Sequence, residues 1–191
     1  MRTELGRPRN RQIDDAVLSA TVELLGEVPY AELTVDTIAR RAGTSKPAIY
    51  RRWPGKAHLV HEAVFPIDES TEIPATGSLP ADVREMVRRV ADVLTAPPAR
   101  AALPGLIGEM AADPTLHAAL LTRFGDIITG GLGDFLRRAV ERGEVRSEVS
   151  ADELAEAVAG ITLVSLLTRG TALDDGWMDR AATLIVRGIS A

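Results

Sequence analysis

The chain has 191 residues, and 46% of them are hydrophobic, which is enough for a compact domain with a buried core and a second, smaller domain. It contains no cysteine, which excludes disulfides, zinc–thiolate sites and cysteine nucleophiles. The apolar runs are interrupted well before the roughly 18 residues that a membrane span needs. The N-terminal sequence MRTELGRPRN lacks the apolar core of a secretion signal. We therefore expect a cytoplasmic protein with no membrane partner.

Charge is distributed unevenly along the chain. The formal net charge is −5, yet residues 1–60 carry ten basic and seven acidic side chains, so that the N-terminal part is positive and the remainder is strongly negative. A basic head on an acidic body is typical of a protein that presents one region to DNA. Arg2, Arg7, Arg9 and Arg11 form a basic N-terminal arm, which is either a DNA contact or a solvated tail.

The first predicted helix runs from about Arg11 to Leu25. Apolar side chains recur there at helical spacing, and Gly26 follows at the point where the helix should end. The predicted buried stripe comprises Ile13, Ala16, Val17, Ala20 and Leu24. We expect this helix to hold the next two at a fixed angle.

Residues 34–56 predict two short helices joined by a tight turn, and they are the most informative segment of the chain. Thr34 can cap the first helix through its hydroxyl. Gly43 can adopt the left-handed conformation that ends a helix, and Ser45 offers a second cap before Pro47, which suits an opening helical turn. The second helix has a basic outer face. This pattern predicts a helix-turn-helix that presents its second helix to the major groove of DNA.

The outward side chains of this segment divide by the part of DNA that they can reach. Lys46 and Arg51 are predicted to reach base acceptors such as guanine O6 and N7. Hydroxyl and basic side chains nearby are better placed for phosphates, which position a protein without reading sequence. The predicted phosphate contacts are Thr34, Tyr50, Arg52 and Lys56. The full predicted DNA-binding set is Thr34, Thr44, Ser45, Lys46, Pro47, Ala48, Tyr50, Arg51, Arg52 and Lys56.

The run LTVDTIARRAGTSKPAIYRRWPGKAHLV resembles the N-terminal domain of TetR-type bacterial transcriptional repressors, and the resemblance covers about residues 12–60. It implies an all-α homodimer, an inverted-repeat operator, and a C-terminal domain that binds a small-molecule effector and dimerises. It also implies that the helix beginning near Thr34 contributes to DNA contacts. Asp36 departs from that pattern, because a basic or polar reader would serve better there, and we assign no base contact to it. The positions that carry the resemblance are Ala39, Ala42, Gly43, Ser45, Pro47, Ile49, Tyr50, Trp53, Gly55, Lys56 and Leu59.

A fourth helix is predicted to start near Gly55, and the fold class is all-α with about nine helices: a three-helix helix-turn-helix domain followed by a C-terminal helical bundle. Residues 66–80 contain three prolines and no helical period, so they predict a connecting loop. The predicted domains are a DNA-binding domain at 1–65 with its basic arm at 1–11, the loop at 66–80, and a helical ligand-binding and dimerisation domain at 80–191. The predicted helices of that last domain are about 80–96, 101–112, 113–142, 150–168 and 177–189.

The predicted helix over 150–168 is apolar almost all round between residues 154 and 167, which is typical of a helix buried on every face. The family resemblance suggests that the last two helices pair with those of a second subunit. The alternative is that this helix is the central core helix of a monomer. The predicted dimer-interface residues are Leu154, Val158, Ile161, Ser165, Met178, Leu184 and Ile185.

An unknown small-molecule effector is the third expected partner, after double-stranded DNA and a second copy of the chain. A cluster of three glycines lies inside the predicted helix over 113–142: Gly130, Gly131 and Gly133. It indicates a kink beside an effector cavity, close helix packing that needs small residues, or a break in the helix. Few aromatic residues follow residue 70, which favours an apolar or flexible effector over a planar cation. The predicted pocket residues are Met86, Val90, Leu106, Glu109, Met110, Phe124, Ile128 and Leu163, a set also typical of plain core.

Signals for catalysis, cofactors or metals are weak. The H-x-x-H-E run that starts at His58 does not have the order of a zinc protease, and a third ligand is not evident. The sequence lacks a complete P-loop, a dinucleotide fingerprint and a G-x-S-x-G context. We therefore predict a repressor of the TetR type rather than an enzyme, released from its operator by the effector. The alternative is a helical protein-interaction adaptor without sequence-specific DNA binding.

Overall fold

A computed structural model describes residues 7–67, 73–122, 125, 131–169 and 173–191. The described residues contain one isolated β-bridge, between Val145 and Ser190, and no strand, which confirms the all-α fold class. Their helices are α1 (Arg7–Leu25), α2 (Val35–Arg41), α3 (Lys46–Tyr50), α4 (Lys56–Val64), α5 (Leu79–Thr95), α6 (Pro97–Ala112), α7 (Pro114–Thr122), α8 (Gly133–Glu141), α9 (Ala151–Arg169) and α10 (Asp175–Ile189). Across the described helices, none combines the length and apolar character that crossing a membrane requires.

The helices divide into two compact units, and the division differs from the predicted domains. The first unit spans residues up to 66 together with 96–120, and the second spans 67–95 and 121–191. Residues 96–120 were predicted to belong to the C-terminal body. They pack with the N-terminal helices instead, because α6 contacts α1 and α4 and buries Leu106 in the same core.

In the first unit, α1 to α4 and α6 share one hydrophobic core. Val17, Ile38, Ile49 and Leu59 are almost completely buried in it. Of the predicted stripe in α1, Val17, Ala20 and Leu24 are buried, whereas Ile13 and Ala16 are exposed. Helix α1 begins at Arg7, four residues earlier than predicted, and Pro8 is compatible with its opening turn. The part of the predicted arm from residue 7 onward is therefore helical, and Arg2 lies outside the described residues.

In the second unit, α5 packs against both α9 and α10. Asp82 in the first turn of α5 is buried, and its carboxylate accepts hydrogen bonds of 2.7 Å from the backbone and the hydroxyl of Thr76. Helix α9 begins with a capping box in which Ser150 and Glu153 bond reciprocally. Side chains close in sequence therefore form hydrogen bonds at the starts of α5 and α9.

The predicted helix over 113–142 corresponds to α7 and α8, and most residues between them, including Gly130, lie outside the described residues. Gly131 and Leu132 form a π-helical turn directly before α8. A Cβ on Gly131 would lie 2.8 Å from Ile73 Cγ1, so this position needs a small residue for close packing. Apart from its chain neighbours and the backbone of its own helix, no described atom lies within 4 Å of a Cβ built on Gly133, so packing does not require a glycine there.

Candidate nucleic-acid interface

Helix α2 is held at both ends by its own sequence. The Thr34 hydroxyl accepts from the backbone of Thr37 at 3.1 Å, and the Thr37 hydroxyl accepts from the backbone of Thr34 at 3.3 Å. At the other end, Gly43 adopts a φ of +65°, and the amide of Thr44 donates to the carbonyl of Ala39 at 2.9 Å. This closing hydrogen bond is a Schellman motif, which satisfies a carbonyl that the helix end leaves without a partner.

Helix α3 starts immediately after this turn and is fixed by two buried side chains. Ser45 caps it by accepting from the amide of Ala48 at 3.4 Å, and Pro47 stands in the first turn. Ile49 is buried, and so is Trp53, which follows the end of α3 at Tyr50. With its inner side fixed in this way, the short helix directs its remaining side chains outward.

The outer surface of α3 carries Lys46, Tyr50 and Arg51, all of them exposed. Within the described part of the chain, Arg51 has no ion-pair partner, so its guanidinium is available to an external acceptor. Lys46 instead meets Asp36 of α2, with 2.8 Å between Nζ and Oδ2. The hydrogen bond that the Lys46 ammonium donates to the Asp36 carboxylate, followed by the negative charge of Asp36, raises the pKa of Lys46. Lys46 therefore carries its positive charge throughout the physiological range.

Two arginines beside this surface form ion pairs with acidic side chains of the first unit. Arg52 Nε donates to Asp14 Oδ1 at 3.0 Å, and its guanidinium also contacts the second oxygen of that nearly buried carboxylate. Arg41 donates to both carboxylate oxygens of Glu27, at 2.8 and 2.7 Å. These pairs tie α2 and the end of α3 to α1. The phosphate contact that we predicted for Arg52 therefore competes with an internal ion pair.

Lys56 is also held internally. Its Nζ donates to the Tyr30 carbonyl at 3.1 Å, lies 3.9 Å from the centroid of the Tyr30 ring, and is 3.9 Å from Glu109 Oε1. Tyr30 in turn donates its hydroxyl to Glu109 at 2.8 Å. The sequence did not predict this cluster, because no local pattern indicates that Tyr30 and Glu109, which are 79 positions apart, are in contact. Lys56 therefore has a packing role in the structure, and its predicted phosphate contact would have to displace these partners.

The predicted effector residues that the structure describes are divided between the two units. Leu106 and Met110 pack in the core of the first unit, where Glu109 is bonded to Tyr30. Met86 and Val90 pack in the core of the second unit. Leu163 is half-buried in α9, while Phe124 and Ile128 lie outside the described residues. The effector pocket thus stays a prediction.

The predicted dimer residues also divide by burial. Helix α9 is not buried on every face within one chain, because its helical period turns Val164 and Leu167 outward, where they are 57% and 58% exposed. Leu184 of α10 is 64% exposed. Of the other predicted residues, Leu154, Val158, Met178 and Ile185 lie in the core of the second unit, and Ile161 and Ser165 are half-buried.

Comparison with known proteins finds two family models along the chain, and the second of them includes residues 96–120, which pack with the first unit. Residues 17–63 match the family described as bacterial regulatory proteins, tetR family, and residues 73–185 match the tetracyclin repressor-like, C-terminal domain. The chain is 36% identical over 173 residues to the DNA-binding transcriptional repressor TetR of Mycobacteroides abscessus, covering 86% of this chain and 87% of that protein. It is 28% identical to the uncharacterized HTH-type transcriptional regulator YdeS of Bacillus subtilis, and the match covers 100% of this chain and 96% of that protein. The crystal structure of the TetR family transcription regulator SCO0332 superposes with a TM-score of 0.74 at 29% identity, covering 93% of this chain and 98% of that one.

Proposed function

Since the chain belongs to the TetR family of bacterial transcriptional regulators, we propose that it is a cytoplasmic repressor that binds an inverted-repeat operator as a homodimer and leaves it when a small molecule binds. It is a helix-turn-helix regulator, and dimeric, ligand-responsive DNA binding is typical of the family. The observation that carries the proposal is the short helix α3, capped at Ser45, fixed by Ile49 and exposed along a basic outer surface.

Within that surface, Lys46 and Arg51 are the proposed base readers, and Tyr50 is the proposed phosphate contact. All three side chains are exposed, and they lie within one and a half turns of each other. The further proposed DNA contacts are Thr34, on phosphate, and Thr44, Ser45, Pro47 and Ala48 around the start of α3. Arg52 and Lys56 are proposed to contact phosphate only if DNA displaces their partners within the protein, which are Asp14 for Arg52 and the Tyr30 carbonyl for Lys56.

The dimer is supported by the exposed apolar side chains Val164, Leu167 and Leu184 in the last two helices. An inverted repeat has two-fold symmetry, so an isologous pair of identical subunits matches it. We propose a second copy of this chain as the partner that covers these side chains. In this arrangement two copies of α3 reach successive major grooves about 34–36 Å apart.

Selection from random duplexes at fixed salt tests the DNA-binding proposal. We expect an enriched inverted repeat, and affinity that falls steeply with salt concentration because phosphate contacts release counterions. Arg51→Ala should lower operator affinity at least tenfold and relax one position of the site. The matched control is Arg100→Ala, which removes an exposed arginine of α6 and should leave the motif unchanged. Enrichment of no inverted repeat would instead favour the helical adaptor.

Sedimentation tests the dimer. Replacing Leu167 and Leu184 together by glutamate places charges in the proposed interface, so we expect a monomer that no longer binds the two half-sites cooperatively. Leu121→Glu is the control, because Leu121 is a similarly exposed apolar residue on α7. A double variant that still sediments as a dimer would place the interface elsewhere.

The effector is proposed to be apolar or flexible, with Glu109 as a polar contact. Because Glu109 is bonded to Tyr30 and lies near Lys56, an effector that engaged Glu109 would also disturb the contact that holds the start of α4. A screen for compounds that both raise the melting temperature and release the selected operator tests this step. Compounds that stabilise the protein without releasing DNA would separate binding from regulation.

A further inference from the structure

The contact between Asp36 and Lys46 lies on the surface that the proposed function turns toward DNA. Asp36 is in the first turn of α2, Lys46 is the first residue of α3, and the pair joins the two helices across the turn. Both side chains are exposed, by 67% for Asp36 and 45% for Lys46. A carboxylate there repels phosphates, so its presence opposes non-specific binding. An exposed surface pair also contributes little to stability.

The geometry of the pair matches the edge of one base pair in the major groove. Lys46 Nζ and Asp36 Oδ2 are 2.8 Å apart. Guanine O6 accepts a hydrogen bond from the amino group N4 of its paired cytosine, so these two atoms are also separated by about 2.9 Å. Guanine O6 is an acceptor that suits a lysine ammonium, and the cytosine amino group is a donor that suits a carboxylate. A donor and an acceptor side by side on the protein thus face an acceptor and a donor side by side on the DNA.

We propose that Asp36 and Lys46 read one G·C pair in each half-site as a unit, with Lys46 on guanine and Asp36 on the amino group of its cytosine. This inference rests on the proposed function and goes beyond it, because it makes Asp36 a determinant of specificity. Reversing the base pair would place the carboxylate on guanine O6 and the ammonium on the amino group, which juxtaposes acceptor with acceptor and donor with donor. Asp36 and Lys46 together therefore distinguish G·C from C·G. A lysine alone distinguishes them less well, because it presents only a donor.

Asp36→Asn is the decisive variant. An amide offers both a donor and an acceptor, so it accepts either orientation, and it removes the charge that repels phosphates. We expect the selected motif of Asp36→Asn to lose, on the order of tenfold, its preference for G·C over C·G at one symmetric pair of positions. At the same time its affinity for random duplex DNA should rise. Asp36→Glu keeps the acceptor and should retain part of the preference.

The matched control is Glu32→Gln, which makes the same change of charge at an exposed position just before α2. It should raise affinity for random DNA slightly and leave the selected motif unchanged. The wild-type chain, Asp36→Asn and Glu32→Gln are compared in the same selection at the same salt concentration. Unchanged helicity and sedimentation of each variant show that the fold is preserved.

Two results would overturn the inference while the proposed function stands. In the first, wild-type protein selects an inverted repeat and Asp36→Asn selects the identical motif. In the second, Asp36→Asn binds more tightly with its guanine preference intact, which would mean that Asp36 restrains Lys46 rather than reading DNA with it. Failure of the wild-type chain to select any inverted repeat would overturn the proposed function and the inference together.

Discussion

The helix-turn-helix segment and the cluster around Tyr30 lie in the same compact unit, yet they depend on contacts of very different range. The turn between α2 and α3 is closed by residues three to five positions apart, such as Thr44 and Ala39. The Tyr30 hydroxyl instead reaches Glu109, and its ring packs against Gly105. Local contacts thus shape the proposed DNA-reading surface, whereas long-range contacts connect it to α6. This difference predicts that substitutions which disrupt long-range contacts lower the free energy of unfolding more than substitutions which disrupt local contacts.

Gly105→Ala should have the largest effect. A Cβ at this position would lie 2.0 Å from Cδ1 of the Tyr30 ring, so either the ring or α6 must move. Overpacking together with a weakened Tyr30–Glu109 hydrogen bond should lower the free energy of unfolding by about 3 kcal/mol. Urea unfolding followed by Trp53 fluorescence measures this, in a Trp177→Phe background that removes the other tryptophan.

Gly108→Ala is the control for that substitution, because it changes the same residue type in the same helix. Apart from its chain neighbours and the backbone of its own helix, no described atom lies within 4 Å of a Cβ built on Gly108. The higher helix propensity of alanine should therefore raise stability, by up to about 1 kcal/mol. Equal unfolding midpoints for the Gly105 and Gly108 variants would show that the Tyr30 ring has room to move.

Arg52→Ala should have the next largest effect. The substitution leaves the carboxylate of Asp14 nearly buried without its cation, which should cost about 2 kcal/mol. Arg41→Ala removes an exposed pair with Glu27 and should cost less stability, because solvent screens an exposed ion pair. Urea midpoints of both variants test the contrast. Similar losses for the two arginines would mean that burial of Asp14 does not decide the energy.

The sequence was sufficient where a structural feature depends on near neighbours. The caps at Thr34 and Ser45 and the stop at Gly43 follow from residue types at fixed offsets, and the structure contains each of them. The Asp36–Lys46 contact was not predicted, although both residues flank the turn. A helix-turn-helix pattern fixes the order of its helices but not which side chains meet across them.

The sequence was insufficient where a feature depends on which helices become neighbours. Ala99, Ala102 and Leu106 form an ordinary apolar stripe, and nothing in their spacing indicates that α6 packs with the N-terminal helices. The same limit applies to α9, whose apolar composition suggested burial on every face. Packing within one chain covers one side and leaves Val164 and Leu167 exposed.

Gly43→Ala tests the local side of the comparison. The φ of +65° at Gly43 is a left-handed conformation that costs an L-residue with a side chain roughly 1–2 kcal/mol, so we expect a loss near 1 kcal/mol. Gly43→Asn should lose less, because asparagine tolerates this conformation better. Urea unfolding and operator affinity are measured together. A loss as large as that of Gly105→Ala would contradict the distinction between local and long-range contacts.

Alkaline pH should produce the smallest effect, and it reports on Tyr30 directly. Burial, followed by the hydrogen bond to Glu109, raises the pKa of Tyr30 above the value of about 10 for free tyrosine. The folded state therefore keeps this proton when the unfolded state has lost it, so the stabilisation is complete below pH 10 and declines as pH rises further. The expected loss is less than about 1 kcal/mol at pH 10.5. Tyr30→Phe lacks this contribution, so its urea midpoint should fall less between pH 9 and 10.5, whereas parallel curves would show that Tyr30 ionises equally easily in both states.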